Sequence, residues 1–124
     1  MKFLFDTNFL LIPANYKVDI FYELQEFGVV EPFIIQPILK ELDRLVKKGG
    51  SDGKAAKLGL TLIEKKGIKI IKISHHAEST DDDLIEYAKK GYTVCTQDRK
   101  LIEKLKKEKL PVIFLRQKRK LVME

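Results

Sequence analysis

An α/β fold of three layers, with a central and mostly parallel sheet between helices, is predicted by three features of the sequence. Short apolar runs suited to strands alternate with helical patterns along the whole chain. The run FLF leads into Asp6, and the run YTVCT leads into Asp98. In open parallel sheets the ligand crevice lies beyond the carboxyl ends of the strands, so two strands that each run into an aspartate aim both carboxylates at one crevice. The 124 residues suit one ordinary domain, spanning 1–124.

The elements follow in order. KFLF (residues 2–5) is a buried strand closed by Asp6. VDIFYELQEFG brings Val18, Phe21, Tyr22, Leu24 and Phe27 close to helical spacing, with Gly28 as its stop. PFII (32–35) is a second strand. QPILKELDRLVKK is a helix with Pro37 in its first turn and Ile38, Leu42, Leu45 and Val46 on one face. KKGGSDGKAAKLG then reads as a loop leading into a helix that ends near Gly67. It is no phosphate loop: Gly49 and Gly53 enclose three residues where the Walker pattern needs four, and Ala55 stands where that pattern has Ser or Thr. IKIIKI (68–73) is a third strand, and TDDDLIEYA starts a helix with Thr80 as N-cap and Asp81, Asp82 and Asp83 in its first turn. YTVCT (92–96) is a fourth strand, Asp98 starts the helix RKLIEKLKK, and PVIFL (111–115) is a fifth strand. The remainder, RQKRKLVME (116–124), is a basic tail that is either mobile or packed back on the domain.

Composition narrows the class. The single cysteine, Cys95, excludes an intrachain disulfide and a cysteine-rich zinc site, and inside an apolar strand it reads as a small core residue. No signal peptide or membrane span is expected, since Asp6 breaks the first apolar run and later ones are short, which predicts a cytoplasmic protein. The net charge is +6; with Asp6, Glu41, Asp82 and Asp98 set aside, 24 basic face 14 acidic residues, a surplus of +10. A basic body around an acidic hole suits a polyanionic partner, although a thermophile's surface is also rich in lysine.

The acids form the chemical signal. Glu41 lies three residues after Ile38 and four before Leu45, so it shares the apolar side of its helix. A carboxylate there is costly unless it is paired or bound to a cation. Three successive aspartates at 81–83 repel one another, and a divalent ion relieves that repulsion. Asp82 ranks first as a ligand, with Asp81 and Asp83 as a second ligand, an outer partner or a cap. Asn8 and Thr96, each two residues from an acid, are placed to support a carboxylate or a bound water. Together these oxygen donors suit Mg²⁺ or Mn²⁺. His75 and His76, the only histidines, are weak ligands because adjacent side chains in an extended segment seldom converge on one ion.

DTNFLL, LKELDRL, TDDDLIEYA and TQDRKL followed by PVIFL make up, in that order and spacing, a pattern that resembles PIN-domain nucleases over essentially the whole chain. Within that superfamily it is most similar to archaeal relatives of the processome nuclease that cleaves ribosomal RNA precursors, a group also described as VapC-like. The resemblance implies metal-binding acids at Asp6, Glu41, Asp82 and Asp98, with Asp81, Asn8 and Thr96 nearby. It further implies Mg²⁺ or Mn²⁺ as cofactor, single-stranded or structured RNA as substrate, products ending in 3′-hydroxyl and 5′-phosphate, and a homodimer. An antitoxin or a ribosome-assembly partner is expected according to whether the chain is a toxin or a maturation nuclease, with maturation preferred. Candidates for RNA-backbone contact are Lys100, Lys104, Lys106, Lys107, Arg116, Lys118, Arg119 and Lys120.

Two other Mg²⁺-dependent folds fit less well. A phosphohydrolase of the haloacid-dehalogenase type needs a second aspartate where Asn8 stands, and a two-component receiver needs an aspartate at a later strand end, which IKIIKIS lacks. A catalytically silent scaffold that binds RNA or protein remains the third alternative.

Overall fold

The computed structural model describes residues 1–73 and 78–124, so His75 and His76 lie outside the described residues. Among the described residues six strands form one sheet: β1 (Lys2–Phe5), β2 (Glu31–Ile35), β3 (Lys69–Ile71), β4 (Thr93–Cys95), β5 (Val112–Arg116) and β6 (Lys120–Met123). Their spatial order is β3-β2-β1-β4-β5-β6, parallel throughout except for β6, which runs antiparallel to β5. Phe3, Leu4 and Phe5 are all fully buried, which is why β1 reads as an unbroken apolar run: a central parallel strand is covered on both faces.

Helices α1 (Thr7–Leu10), α2 (Ile12–Tyr16) and α3 (Ile20–Leu24) connect β1 to β2. Helices α4 (Gln36–Lys48) and α5 (Gly50–Lys65) connect β2 to β3, α6 (Thr80–Lys89) leads to β4, and α7 (Arg99–Lys107) leads to β5. The chain moves outward from β1 through β2 to β3, then returns to the other side of β1 at β4. Right-handed crossovers therefore put α1–α5 on one face and α6 and α7 on the other, giving the three layers. Phe5 ties the first face together through ring contacts with Phe9 on α1, at 5.1 Å between centroids, and Phe21 on α3, at 5.8 Å. The reversal of strand order falls between β1 and β4, and such a switch point is where an open sheet leaves a crevice.

Two readings of the sequence are corrected, and a third is decided between its alternatives. The glycine-rich segment is not a loop: only Gly49 separates α4 from α5, and Gly50, Gly53 and Gly59 lie inside the second helix. A side chain at Gly53 would meet the Leu45 carbonyl at 3.0 Å, so the glycine lets the two helices pack closely. Of the two alternatives for the segment 116–124 the second holds: it packs back on the domain, where β6 pairs Leu121 with Leu115 and Val122 with Phe114 as the edge of the sheet. Helix α6 is capped by Ser79 rather than Thr80, since the Ser79 hydroxyl accepts from the Asp82 N–H at 3.1 Å. Among the described residues no helix is long and apolar enough to cross a membrane.

Candidate active site

The Asp6 N–H donates to the Cys95 carbonyl at 2.9 Å, extending the β1–β4 ladder one residue past β1. That bond sets the Asp6 carboxylate at the switch point, where it caps α1. One oxygen accepts from the Thr7 N–H and the other from the Thr96 hydroxyl, both at 2.8 Å. Thr96 is fully buried, and its own N–H donates to the Ile113 carbonyl at 2.9 Å, so the hydroxyl is held by the end of the sheet. The same hydroxyl oxygen accepts from the Asp98 N–H at 3.1 Å and lies 3.2 Å from the Asn8 side-chain oxygen. Asn8 in turn accepts from the Gln97 N–H at 2.9 Å. Asn8 and Thr96 thus link the loop after β1 to the loop after β4.

Asp98 is the N-cap of α7, accepting from the N–H groups of Lys100 at 2.9 Å and Leu101 at 3.4 Å. Glu41, half-buried on α4, accepts a short hydrogen bond from the Thr7 hydroxyl. Asp81, in the first turn of α6, completes the group. Asp6, Glu41, Asp81 and Asp98 line one open cleft of about 540 Å³ together with Thr7, Asn8 and, at the rim, Arg44 and Lys48.

Asp82, ranked first among the three aspartates, is not among these lining residues. Its carboxylate accepts from the Ser79 hydroxyl at 3.1 Å while its N–H donates back, a reciprocal cap that occupies it at the helix start. Asp83 is 1 % exposed and does not line the cleft. Asp81 therefore takes the position that the sequence reading gave first to Asp82.

The electrostatics agree with the geometry. Burial pushes the Asp6 carboxyl from its ordinary 3.8 up to about 6, against the lowering effect of its Thr96 and Thr7 hydrogen bonds and with the help of negative charge at Glu41 and Asp81. Asp81 is likewise raised by partial burial and then by Asp98, with Lys104 acting in the opposite direction. Carboxylates that raise one another in this way mark a place where positive charge is favourable. All the donors are hard oxygens, the set preferred by Mg²⁺ and Mn²⁺. Among the described residues no three acidic, histidine or cysteine groups close into a cage, and the acids line an open cleft instead. An open arrangement suits an ion that keeps waters and takes only one or two carboxylates directly.

Thr7, Arg44 and Lys48 were not singled out from the sequence. The signal for the two cations was available, since Arg44 and Lys48 stand three and seven residues after Glu41 and so share its helix face. Of the expected RNA contacts, Lys104 lies near Asp81, while Lys120 pairs with Glu26 at 3.7 Å and Arg116 and Lys106 both pair with Glu124.

Comparison with known proteins gives a consistent picture. Residues 3–118 match the model of the family described as PIN like domain. Ribonuclease VapC4 of Methanocaldococcus jannaschii is 34% identical over 122 residues, covering 92% of this chain and 89% of that protein. Ribonuclease VapC9 of Archaeoglobus fulgidus is 30% identical over 121 residues, covering 96% and 86%. Among solved structures, the PIN domain endonuclease Utp24 superposes with a TM-score of 0.78 at 21% identity, over 99% of this chain and 90% of that one. A domain of a functionally unknown protein from Methanocaldococcus jannaschii superposes with a TM-score of 0.65 at 16% identity, over 93% and 91%; both are likenesses of fold. With the switch-point sheet, the acids at its carboxyl end and a family match over nearly its whole length, the chain belongs to the PIN-like domain family.

Proposed function

We propose that this chain is a divalent-metal-dependent endoribonuclease of the VapC type. The observation that carries the reading is the convergence of Asp6, Glu41, Asp81 and Asp98, from four separate segments, in one cleft rimmed by Arg44 and Lys48. A Mg²⁺ or Mn²⁺ ion held there would offset phosphate charge and lower the pKa of an attacking water. Asp6, buried and gripped by Thr7 and Thr96, is the fixed point of the donor set. Thr96 is a positioning residue, joining Asp6 to the backbone of Asp98. Arg44 and Lys48 hold the RNA backbone at the mouth without reading bases.

The VapC assignment is favoured over ribosomal RNA maturation because the two curated relatives are ribonucleases of that name at 34% and 30% identity. Maturation is the second reading, favoured by the fold likeness to Utp24. A homodimer and a small antitoxin partner belong to the first reading, and a ribosome-assembly partner belongs to the second. The deciding experiment incubates purified protein with labelled RNA, with Mn²⁺, with Mg²⁺ or with chelator. Cleavage that needs the metal and leaves 5′-phosphate ends, and that is lost in Asp6→Asn and Asp81→Asn, is the expected result. Cleavage that persists in chelator, or its absence under every condition, would sink the proposal.

A further inference from the structure

A second groove, of about 770 Å³, lies between α7 and the end of β5, and it is larger than the acid cleft. Gln97 lines the groove and the next residue in the chain, Asp98, lines the cleft. The Gln97 side chain is fixed in the groove lining: its oxygen accepts from the Leu115 N–H at 2.6 Å and its amide donates to the Leu115 carbonyl at 3.3 Å. The groove contains the half-buried ring of Phe114, with the Arg116 guanidinium 5.8 Å from the ring centroid. Arg99, Lys106, Lys107 and Arg116 line it against one acid, Glu103. The Glu124 carboxylate bridges Lys106 and Arg116, and hydrogen bonding to Lys106, then the charges of both cations, hold its pKa below the usual range.

A ring flanked by a guanidinium is a stacking platform for any base, and surrounding cations neutralise phosphates. Stacking on a groove wall requires a base free of its own partners, which selects a single strand over a duplex. We propose that this groove is a single-strand RNA subsite continuous with the acid cleft. A base stacks on Phe114 and the adjoining phosphates meet Arg99, Lys107 and Arg116, while the strand passes Gln97 toward the acids. The inference rests on the ribonuclease reading above and deepens it by naming the path of the strand. Glu124 occupies part of the cationic wall and competes with the incoming phosphate.

The test measures affinity for a short labelled oligouridylate in chelator across a salt series, with cleavage by the parent protein scored separately in Mn²⁺. Phe114→Ala should weaken binding roughly ten- to a hundredfold with little change in salt slope, and Phe114→Tyr should restore it. Arg99→Gln, at an exposed helix start, should weaken binding and flatten the slope by about 0.7. Glu124→Gln should tighten binding and steepen the slope. Circular dichroism checks that Phe114→Ala is folded, and Arg99→Gln keeps the test decisive if it is not. If the parent cleaves RNA but Phe114→Ala and Arg99→Gln bind like the parent, the groove proposal is overturned alone. If the parent neither binds nor cleaves, the ribonuclease reading falls and the groove falls with it. Displacement of the oligonucleotide by poly-glutamate as readily as by unlabelled RNA would assign the groove to an acidic peptide and overturn the RNA assignment.

Discussion

Asp81 and Asp82 are adjacent, alike in charge and set to different tasks by the phase of one helix. A helix turns by about 100° per residue, so adjacent aspartates point in different directions, Asp81 toward the cleft and Asp82 back to Ser79. The sequence displayed the acidic cluster but not that phase, because Ser79 and Thr80 are equally good caps until the Ser79–Asp82 pair is seen. The consequence is measurable in chelator. Asp81→Asn should raise the melting temperature slightly by relieving repulsion with Asp98, an effect held below about 1 kcal/mol by solvent screening. Asp82→Asn should lower it, since weakening a helix cap costs about 0.5–1 kcal/mol. The reverse order would return the cleft position to Asp82. Asp6 adds a pH dependence with a definite sign. Its folded pKa of about 6 exceeds the ordinary 3.8, so its ionised form penalises the fold fully above about pH 6, and the penalty is gone below about pH 4. The difference between about 6 and 3.8 corresponds to roughly 3 kcal/mol. Metal-free parent protein should therefore gain stability relative to Asp6→Asn as the pH falls through this window, and parallel melting curves for the two would contradict the burial argument.

At the scale of elements, the strands and helices with strong apolar period were legible. QPILKELDRLVKK is α4 residue for residue, and Asp6, Glu41 and Asp98 could be placed because each adjoins or lies within such an element. The elements missed are those that depend on long-range packing. Helices α1 and α2 are four and five residues long, too short for a period to show, and α1 is started by the Asp6 cap. The β5–β6 hairpin was hidden because its turn lacks Asn-Gly chemistry: Gln117 and Lys118 both hold positive φ, at 55° and 58°. The turn nevertheless closes, with the Arg119 N–H donating to the Arg116 carbonyl at 3.2 Å, because β6 gains a full antiparallel ladder on β5. Left-handed backbone costs an ordinary residue about 1–2 kcal/mol, so the double variant Gln117→Asn, Lys118→Gly should raise the melting temperature by a few degrees. An unchanged or lower value would mean that the turn carries no strain in solution.

The whole molecule sets a strongly basic surface around a small acidic hollow, and the two demand different counterions. A polyanion suits the surface, whereas the hollow favours a compact cation, because Asp6, Glu41, Asp81 and Asp98 share one cleft and the most buried of them is already raised to about pKa 6. A ligand that binds only the folded chain stabilises it by RT ln(1 + [L]/Kd), about 2.7 kcal/mol at a hundredfold excess over Kd. Mn²⁺ should therefore raise the melting temperature, and more at pH 7.5 than at pH 5.5, because Asp6 must lose its proton before it can ligate. The dependence should weaken in Asp6→Asn, where Asp81 is the raised carboxyl that remains, and the stabilisation itself should shrink in Asp98→Asn and Asp81→Asn but survive in Asp82→Asn. Differential scanning calorimetry of parent and variants, with Mn²⁺ titrated at both pH values, measures each of these outcomes without requiring turnover. Equal stabilisation of the parent and Asp6→Asn at both pH values would show that the ion binds the basic body's scattered carboxylates instead of the cleft.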